Sequence, residues 1–77
     1  MDPEDLRQAF ANNLRRLRHA KGISQEALAY EAGVNRTYLS KLEKAASYPG
    51  LEIIAKLATV PECEPAELLR VPNPPYA

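Results

Sequence analysis

The chain has little that would support metal binding, a disulfide or a membrane span. It has one cysteine, Cys63, and one histidine, His19, which excludes an internal disulfide and the usual zinc spacings. No stretch approaches the roughly 18 apolar residues that a membrane span needs, and the acidic start MDPEDLRQ is not typical of a secretory signal. We therefore expect no metal, no cofactor and no membrane partner, and a reducing, cytoplasmic setting. Cys63 is expected to be a small buried hydrophobe and His19 a surface residue.

Catalytic patterns are missing as well. The sequence shows no nucleophile paired with a base, no glycine-rich phosphate loop and no carboxylate pair suited to a cleft. It also shows no sensor domain, so we expect no small-molecule effector. These absences argue against an enzyme and favour a binding protein.

The charges are balanced in number but uneven in position. Ten basic and ten acidic residues give a formal net charge of zero over 77 residues, which argues mildly against a nucleic-acid ligand. Yet residues 14–44 hold seven basic and three acidic residues, and the rest of the chain holds three basic and seven acidic ones. This division predicts a basic face on an acidic body; a randomly solvated surface is the alternative.

Apolar spacing and capping residues predict an all-α domain of five helices. We expect helices over about 3–20, 25–32, 36–44, 51–59 and 65–70, joined into one domain over residues 1–70. The apolar stripe of the first helix consists of Leu6, Phe10, Leu14 and Leu17. Residues 71–77 are too rich in proline for a helix or strand, and form either a loose end or a packed arm.

Residues 25–44, QEALAYEAGVNRTYLSKLEK, are the most informative segment because they have the pattern of a helix-turn-helix. Ala29 is small enough for a second helix to pack closely, and Gly33 can adopt the left-handed conformation that ends the first helix. Leu39 and Leu42 then face the core. An ordinary helical hairpin is the alternative. A true helix-turn-helix docks its second helix in the DNA major groove.

The free side of that second helix supplies the candidates for base contact. They are Asn35, Arg36, Thr37, Tyr38, Ser40 and Lys41. The guanidinium fork of Arg36 matches guanine O6 and N7, although a phosphate contact or a solvated charge is the alternative. Tyr38 could equally contact DNA or cover the edge of the core.

A second group of residues is expected to contact phosphate. These residues are Arg15, Lys21, Ser24, Gln25 and Lys44. Gln25 begins a helix, where free backbone amides can bind an anion. Such contacts supply affinity and salt dependence without sequence preference. Arg18 and Glu43 are expected to form a partly buried ion pair between the first and third helices; two separately solvated side chains are the alternative.

Together these segments resemble the Cro/repressor (XRE) helix-turn-helix family over about residues 14–69. The matching pieces are LRRLRHAKGISQEALAYEAGV, NRTYLSKLE, YPGLEIIAKLA and EPAELL, and RTYLS is further similar to the controller proteins of restriction–modification systems. The resemblance implies a lambda-repressor-like DNA-binding domain that controls transcription as a homodimer. It also implies phosphate contact by Gln25, base contact by Arg36, Thr37 and Ser40 or Lys41, and pairing of the residues that match Arg18 and Glu43.

Three positions depart from the family pattern. Ala45 stands where the family usually has glycine, so either its backbone is strained or the loop takes another path. Gly50 replaces the serine or threonine that often caps the fourth helix, and is a weaker cap. Pro61 stands where a buried leucine is usual, which shortens the fourth helix and bears on the mode of dimerisation.

We expect a sequence-specific regulator that binds a near-palindromic operator in double-stranded DNA. The dimer would form through Leu68, Leu69 and Val71, with two recognition helices about 34 Å apart in successive major grooves. The alternative is an antitoxin or protein-bridging module that acts through a protein partner. The neutral total charge and the proline-rich tail ending near Tyr76 fit this alternative, whereas the basic helix fits it less well.

Overall fold

The computed structural model describes residues 1–71. The proline-rich tail was predicted over residues 71–77, and the part of it after Val71, including Tyr76, lies outside the described residues. The described part contains five helices: α1 (Pro3–Lys21), α2 (Gln25–Ala32), α3 (Arg36–Glu43), α4 (Leu51–Thr59) and α5 (Pro65–Leu69). No strand occurs within these 71 residues, so the predicted all-α fold is confirmed. The predicted bounds agree with these except at the last residues of α1, α3 and α5, each of which differs by one residue. Among the described helices, none combines the length and apolar character required to cross a membrane.

Local side chains determine where the first three helices begin. Asp2, Ser24 and Asn35 each accept a hydrogen bond from a backbone amide in the first turn, at 2.9, 3.0 and 3.1 Å respectively. Such bonds satisfy donors that the helix itself leaves unpaired. Gly22 and Gly33 end α1 and α2 with φ of 75° and 70°, a conformation that glycine adopts without steric cost. The start of α3, where base contacts are expected, is therefore set by Asn35.

The core is formed by residues from all five helices. Its largest fully buried side chains are Phe10, Leu14, Leu28, Leu39, Leu42, Leu57 and Leu68. Leu6, at the start of the predicted apolar stripe, is 37% exposed and lines an open groove. Cys63, predicted to be a small buried hydrophobe, is half-buried and packs against the core cluster.

A buried polar residue joins the two ends of the domain. The side-chain amide of Asn13 in α1 donates to the backbone oxygens of Leu68 and Arg70, both at 2.9 Å. These carbonyls lie at the end of α5, where a helix leaves acceptors unpaired. Asn13 thus attaches the short α5 to α1.

The departures at Ala45 and Pro61 both leave a residue in the left-handed backbone region. Ala45 has φ of 59°, and Glu62, directly after Pro61, has φ of 55°. A left-handed residue with a Cβ costs about 1–2 kcal/mol. The loop therefore keeps a left-handed conformation at Ala45, and the alanine is strained. Helix α4 ends at Thr59, two residues before Pro61.

Replacing Ala45 with glycine is expected to raise the free energy of unfolding by about 0.5–1 kcal/mol. The change removes the left-handed strain, which outweighs the greater entropy of glycine in the unfolded chain. Ala46→Gly is the matched control because Ala46 does not have positive φ, and it is expected to lower stability by about 0.4–1 kcal/mol. Urea denaturation measures both, and destabilisation by Ala45→Gly would contradict the strain.

Candidate nucleic-acid interface

Helix α3 has one buried side and one side open to solvent. Leu39, Leu42 and Glu43 are buried, whereas the predicted base-contact residues are exposed or half-buried along the other side. Asn35, Arg36, Thr37 and Lys41 are exposed, and Ser40 is half-buried. The structure therefore places these five candidates along one side of α3, from its cap at Asn35 to Lys41 in its last turn.

Tyr38 differs from the other base-contact candidates. Its half-buried ring packs against the core cluster, and its hydroxyl donates to the backbone oxygen of Tyr48 at 2.8 Å. Of the two roles left open by the sequence, this geometry favours covering the core edge. The bond also connects α3 to the loop between α3 and α4.

Arg18 of α1 forms an ion pair with Glu43, the last residue of α3. The Nε of Arg18 is 2.7 Å from Oε2 of Glu43, and a second nitrogen donates to Oε1 at 3.0 Å. A third contact runs from Arg18 to the backbone oxygen of Ile23 at 2.9 Å. The side chains are only 11% and 2% exposed. This paired geometry fixes the orientation of α3 on α1, because bidentate pairs constrain direction as well as distance.

Glu43 receives further hydrogen bonds from two predicted phosphate-contact residues. The side-chain amide of Gln25 donates to Oε1 of Glu43 at 2.9 Å, and the guanidinium of Arg15 donates to the backbone oxygen of Glu43. Arg15 also donates to the side chain of Asn12. Glu43 is therefore the point at which α1, α2 and α3 are joined.

The surroundings of Glu43 keep its carboxyl group ionised. Burial by itself would raise the pKa of Glu43, but the hydrogen bonds from Arg18 and Gln25 and the charges of Arg18 and Arg15 outweigh it, so that its pKa lies below the ordinary value. Glu43 is consequently ionised at neutral pH.

The five predicted phosphate-contact residues fall into two groups. Ser24, Gln25 and Arg15 are engaged within the protein, since Ser24 accepts the amide of Ala27 and the other two bind Glu43. Lys21 and Lys44 are exposed at the ends of α1 and α3. Phosphate contact remains a prediction for all five.

The predicted dimer residues need one correction. Leu68 has no exposed surface because it points into the core of its own protomer, so it cannot form part of a contact between subunits. Leu69 and Val71 are half-buried. Leu69 lines the same open groove as Leu6.

The sequence analysis did not predict the hydrogen bonds that Gln25 and Arg15 donate to Glu43. The signal for Arg15 was its position three residues before Arg18, which puts both side chains on one side of α1. No comparable pattern indicated Gln25.

Within residues 1–71, no group of histidine, cysteine and acidic side chains is arranged to hold a metal ion. Burial raises the pKa of the Cys63 thiol, which keeps it protonated at neutral pH.

Comparison with known proteins gives matches over most of the chain. A family model described as Helix-turn-helix matches residues 14–68. A hypothetical transcription factor of Neisseria meningitidis serogroup B is 39% identical over 72 residues, covering 94% of this chain and 68% of that protein. Control protein C.BamHI of Bacillus amyloliquefaciens is 33% identical over 66 residues, covering 84% and 82%. The crystal structure of the restriction-modification controller protein C.AhdI from Aeromonas hydrophila superposes with a TM-score of 0.78 at 44% identity, covering 80% of this chain and 94% of that one.

Proposed function

The chain belongs to the helix-turn-helix family, and we propose that it binds a near-palindromic DNA operator as a homodimer. It is a DNA-binding transcriptional regulator, like the relatives it matches. The resemblance to the XRE family and its controller proteins, predicted from the sequence, is confirmed. This family consists of regulators and not of enzymes. Because its target is DNA, we propose that the protein acts in the cytoplasm.

The observation that carries the operator proposal is the exposed side of α3, held at a fixed angle by Arg18 and Glu43. A helix in the major groove reads base edges from its N-terminal residues. Here those residues are Asn35, Arg36 and Thr37, all exposed. Two such helices related by a twofold axis would enter successive major grooves about 34 Å apart, which requires a near-palindromic site.

Residues beside α3 are proposed to bind the DNA backbone. Lys21 and Lys44 are exposed and flexible enough to reach phosphates on either side of the groove. Gln25 stands at the start of α2, where the backbone amides are unpaired within the helix. Its bond to Glu43 couples this phosphate contact to the placement of α3. Binding should consequently weaken steeply with added salt.

Arg36→Ala and Lys44→Ala are expected to affect binding in different ways. The test uses DNA that the wild-type protein enriches from a random pool, compared with scrambled DNA. Loss of the Arg36 fork should reduce discrimination between the two by about 1–3 kcal/mol per half-site. Loss of Lys44 should weaken both equally and lower the salt slope by about one for each protomer.

Arg70→Ala is the matched control, because Arg70 is exposed and distant in sequence from α3. It should leave discrimination and salt slope unchanged. Retention of full discrimination by Arg36→Ala would remove Arg36 from the base-reading set. Failure of the wild-type protein to enrich any DNA would contradict the operator proposal itself.

A further inference from the structure

Arg15 lies on α1 where that helix passes the C-terminal end of α3. It is half-buried, and one nitrogen of its guanidinium donates to the backbone oxygen of Glu43. Arg18, three residues further along α1, binds the carboxylate of the same residue at 2.7 Å. The two arginines therefore hold Glu43 in different ways, one through its side chain and the other through the backbone of α3 itself.

The backbone oxygen of Glu43 belongs to a helix end whose acceptors need partners from outside the helix. The loop after α3 supplies two such partners, since the amides of Ala45 and Ala46 donate to oxygens in the last turn of α3 at 3.2 and 2.9 Å. Arg15 supplies the donor to the oxygen of Glu43. A cation is also favoured at this place because the helix dipole is negative at its C-terminal end.

A second nitrogen of Arg15 is bound within α1. It donates to Oδ1 of Asn12, and the same oxygen accepts the side-chain amide of Gln8 at 3.1 Å. The guanidinium is therefore held by acceptors on two helices. To reach a phosphate, Arg15 would have to leave both acceptors, and the oxygen of Glu43 would lose its donor. These contacts favour a role for Arg15 within the protein over the phosphate contact predicted from the sequence.

A small rotation at the C-terminal end of α3 becomes a large displacement at the other end. Helix α3 has eight residues and is about 12 Å long, so a tilt of about 5° around one end moves the opposite end by about 1 Å. The distance between a hydrogen-bond donor and acceptor varies over only about 0.5 Å. Base contact by Arg36 and Thr37 therefore depends on how firmly the end at Glu43 is held.

We propose that Arg15 is a positioning residue for base recognition, which fixes the C-terminal end of α3 and makes no contact with the DNA backbone. The inference rests on the proposed operator binding and adds to it a residue that affects sequence discrimination without touching DNA. Arg18 anchors the side chain of Glu43, and Arg15 anchors the backbone at the same residue.

Arg15→Gln and Arg15→Lys separate the charge of this residue from its geometry. Each variant is titrated with the DNA that the wild type enriches and with scrambled DNA, at about 50 to 200 mM salt. Arg15→Gln should reduce discrimination about tenfold, which lies within the range for loss of one bidentate base contact, and should leave the salt slope unchanged. Arg15→Lys keeps the charge but lacks the planar fork, so it should lose discrimination as well.

Lys21→Gln and Arg16→Gln are the comparison variants. Lys21 is exposed and is predicted to contact phosphate, so its loss should weaken binding to both DNAs equally and lower the salt slope by about one for each protomer. Arg16 is exposed beside Arg15 and binds the side chain of Asn13 in the same helix at 3.4 Å. Its loss should change neither quantity. Circular dichroism and thermal melting check that each variant is folded under the binding conditions.

Two results would overturn the inference. Unchanged discrimination in either Arg15 variant would show that its bond to Glu43 does not affect base reading. A salt slope lowered by about one for each protomer in Arg15→Gln would make Arg15 a phosphate contact. If Arg15→Gln does not fold, the discrimination of Arg15→Lys gives the result.

The same titrations separate this inference from the proposed function. A wild-type protein that enriches no DNA contradicts the proposed function, and the role of Arg15 fails with it. A wild-type protein that discriminates between the two DNAs, but no better than its Arg15 variants, contradicts the role of Arg15 alone.

Discussion

Arg18→Met is expected to lower the free energy of unfolding by about 3–5 kcal/mol, the cost of leaving one member of a buried ion pair without its partner. Methionine keeps much of the apolar stem of Arg18 but cannot donate to Glu43 or to the backbone oxygen of Ile23. A domain of this size loses about 4–8 °C in melting temperature per kcal/mol. Thermal and urea denaturation at neutral pH measure the loss.

Arg70→Met supplies the control for the Arg18 experiment. Arg70 pairs with Glu67 at 2.8 Å, but its side chain is 66% exposed, and exposed pairs contribute only about 0–1 kcal/mol. The same chemical change should therefore be nearly neutral there. If both variants lose the same free energy of unfolding, burial does not make the Arg18 pair more important for stability than the exposed Arg70 pair.

The stability difference between the wild type and Arg18→Met should shrink as the pH falls. In the wild type the pKa of Glu43 is lowered, so its contribution is present above the ordinary glutamate pKa and is lost as pH falls through the folded-state value. Burial raises the pKa of Glu43, and without Arg18 fewer interactions counteract that effect, so the pKa rises. The variant therefore loses less stability than the wild type on acidification. A difference that stays constant as the pH falls through the carboxylate range would contradict this account.

Asn13→Ala is expected to lower the free energy of unfolding by about 2–4 kcal/mol. The change removes the donor to the buried oxygen of Leu68 and to the partly buried oxygen of Arg70, and a buried acceptor left without a partner costs about 1–3 kcal/mol. Asn13 is itself buried, so water cannot simply replace its amide group. Urea denaturation measures the total loss, and amide hydrogen exchange in α5 shows whether that helix opens first.

Asn12→Ala is the control on the neighbouring position. Asn12 is exposed and accepts its hydrogen bonds from Gln8 and Arg15 within the same helix. Its replacement should cost less than about 1 kcal/mol, as is usual for surface changes. Equal losses in the two variants, or unchanged exchange in α5, would show that Asn13 does not hold α5.

Local chemistry explains why the helix bounds were predictable. Asp2, Ser24 and Asn35 cap helices through residues only two or three positions away, and Pro61 excludes continuation of α4 through its own ring. The apolar spacing of Leu39 and Leu42 likewise identified the buried side of α3. Each of these signals is contained in a few adjacent residues.

Properties that depend on distant parts of the chain were less predictable. The partners of Asn13 lie 55 and 57 residues away, and nothing near Asn13 in the sequence indicates them. The role of Tyr38 was undecided until the carbonyl of Tyr48 was located. Helix α5 has only five residues, too few for periodicity to show which of two adjacent leucines faces inward, and both Leu68 and Leu69 were therefore predicted to lie in the dimer contact.

The attachment of α5 to α1 by Asn13 also bears on the order in which the chain folds. The bond between Asn13 and Leu68 spans 55 residues, and closing a long loop costs entropy before any contact is gained. During synthesis α1 emerges early but cannot complete its buried side until α5 has emerged as well. Helices α1 to α4 alone would leave that side of α1 exposed to water. Folding should thus be a single late, cooperative event, with the nascent chain vulnerable to aggregation until α5 docks.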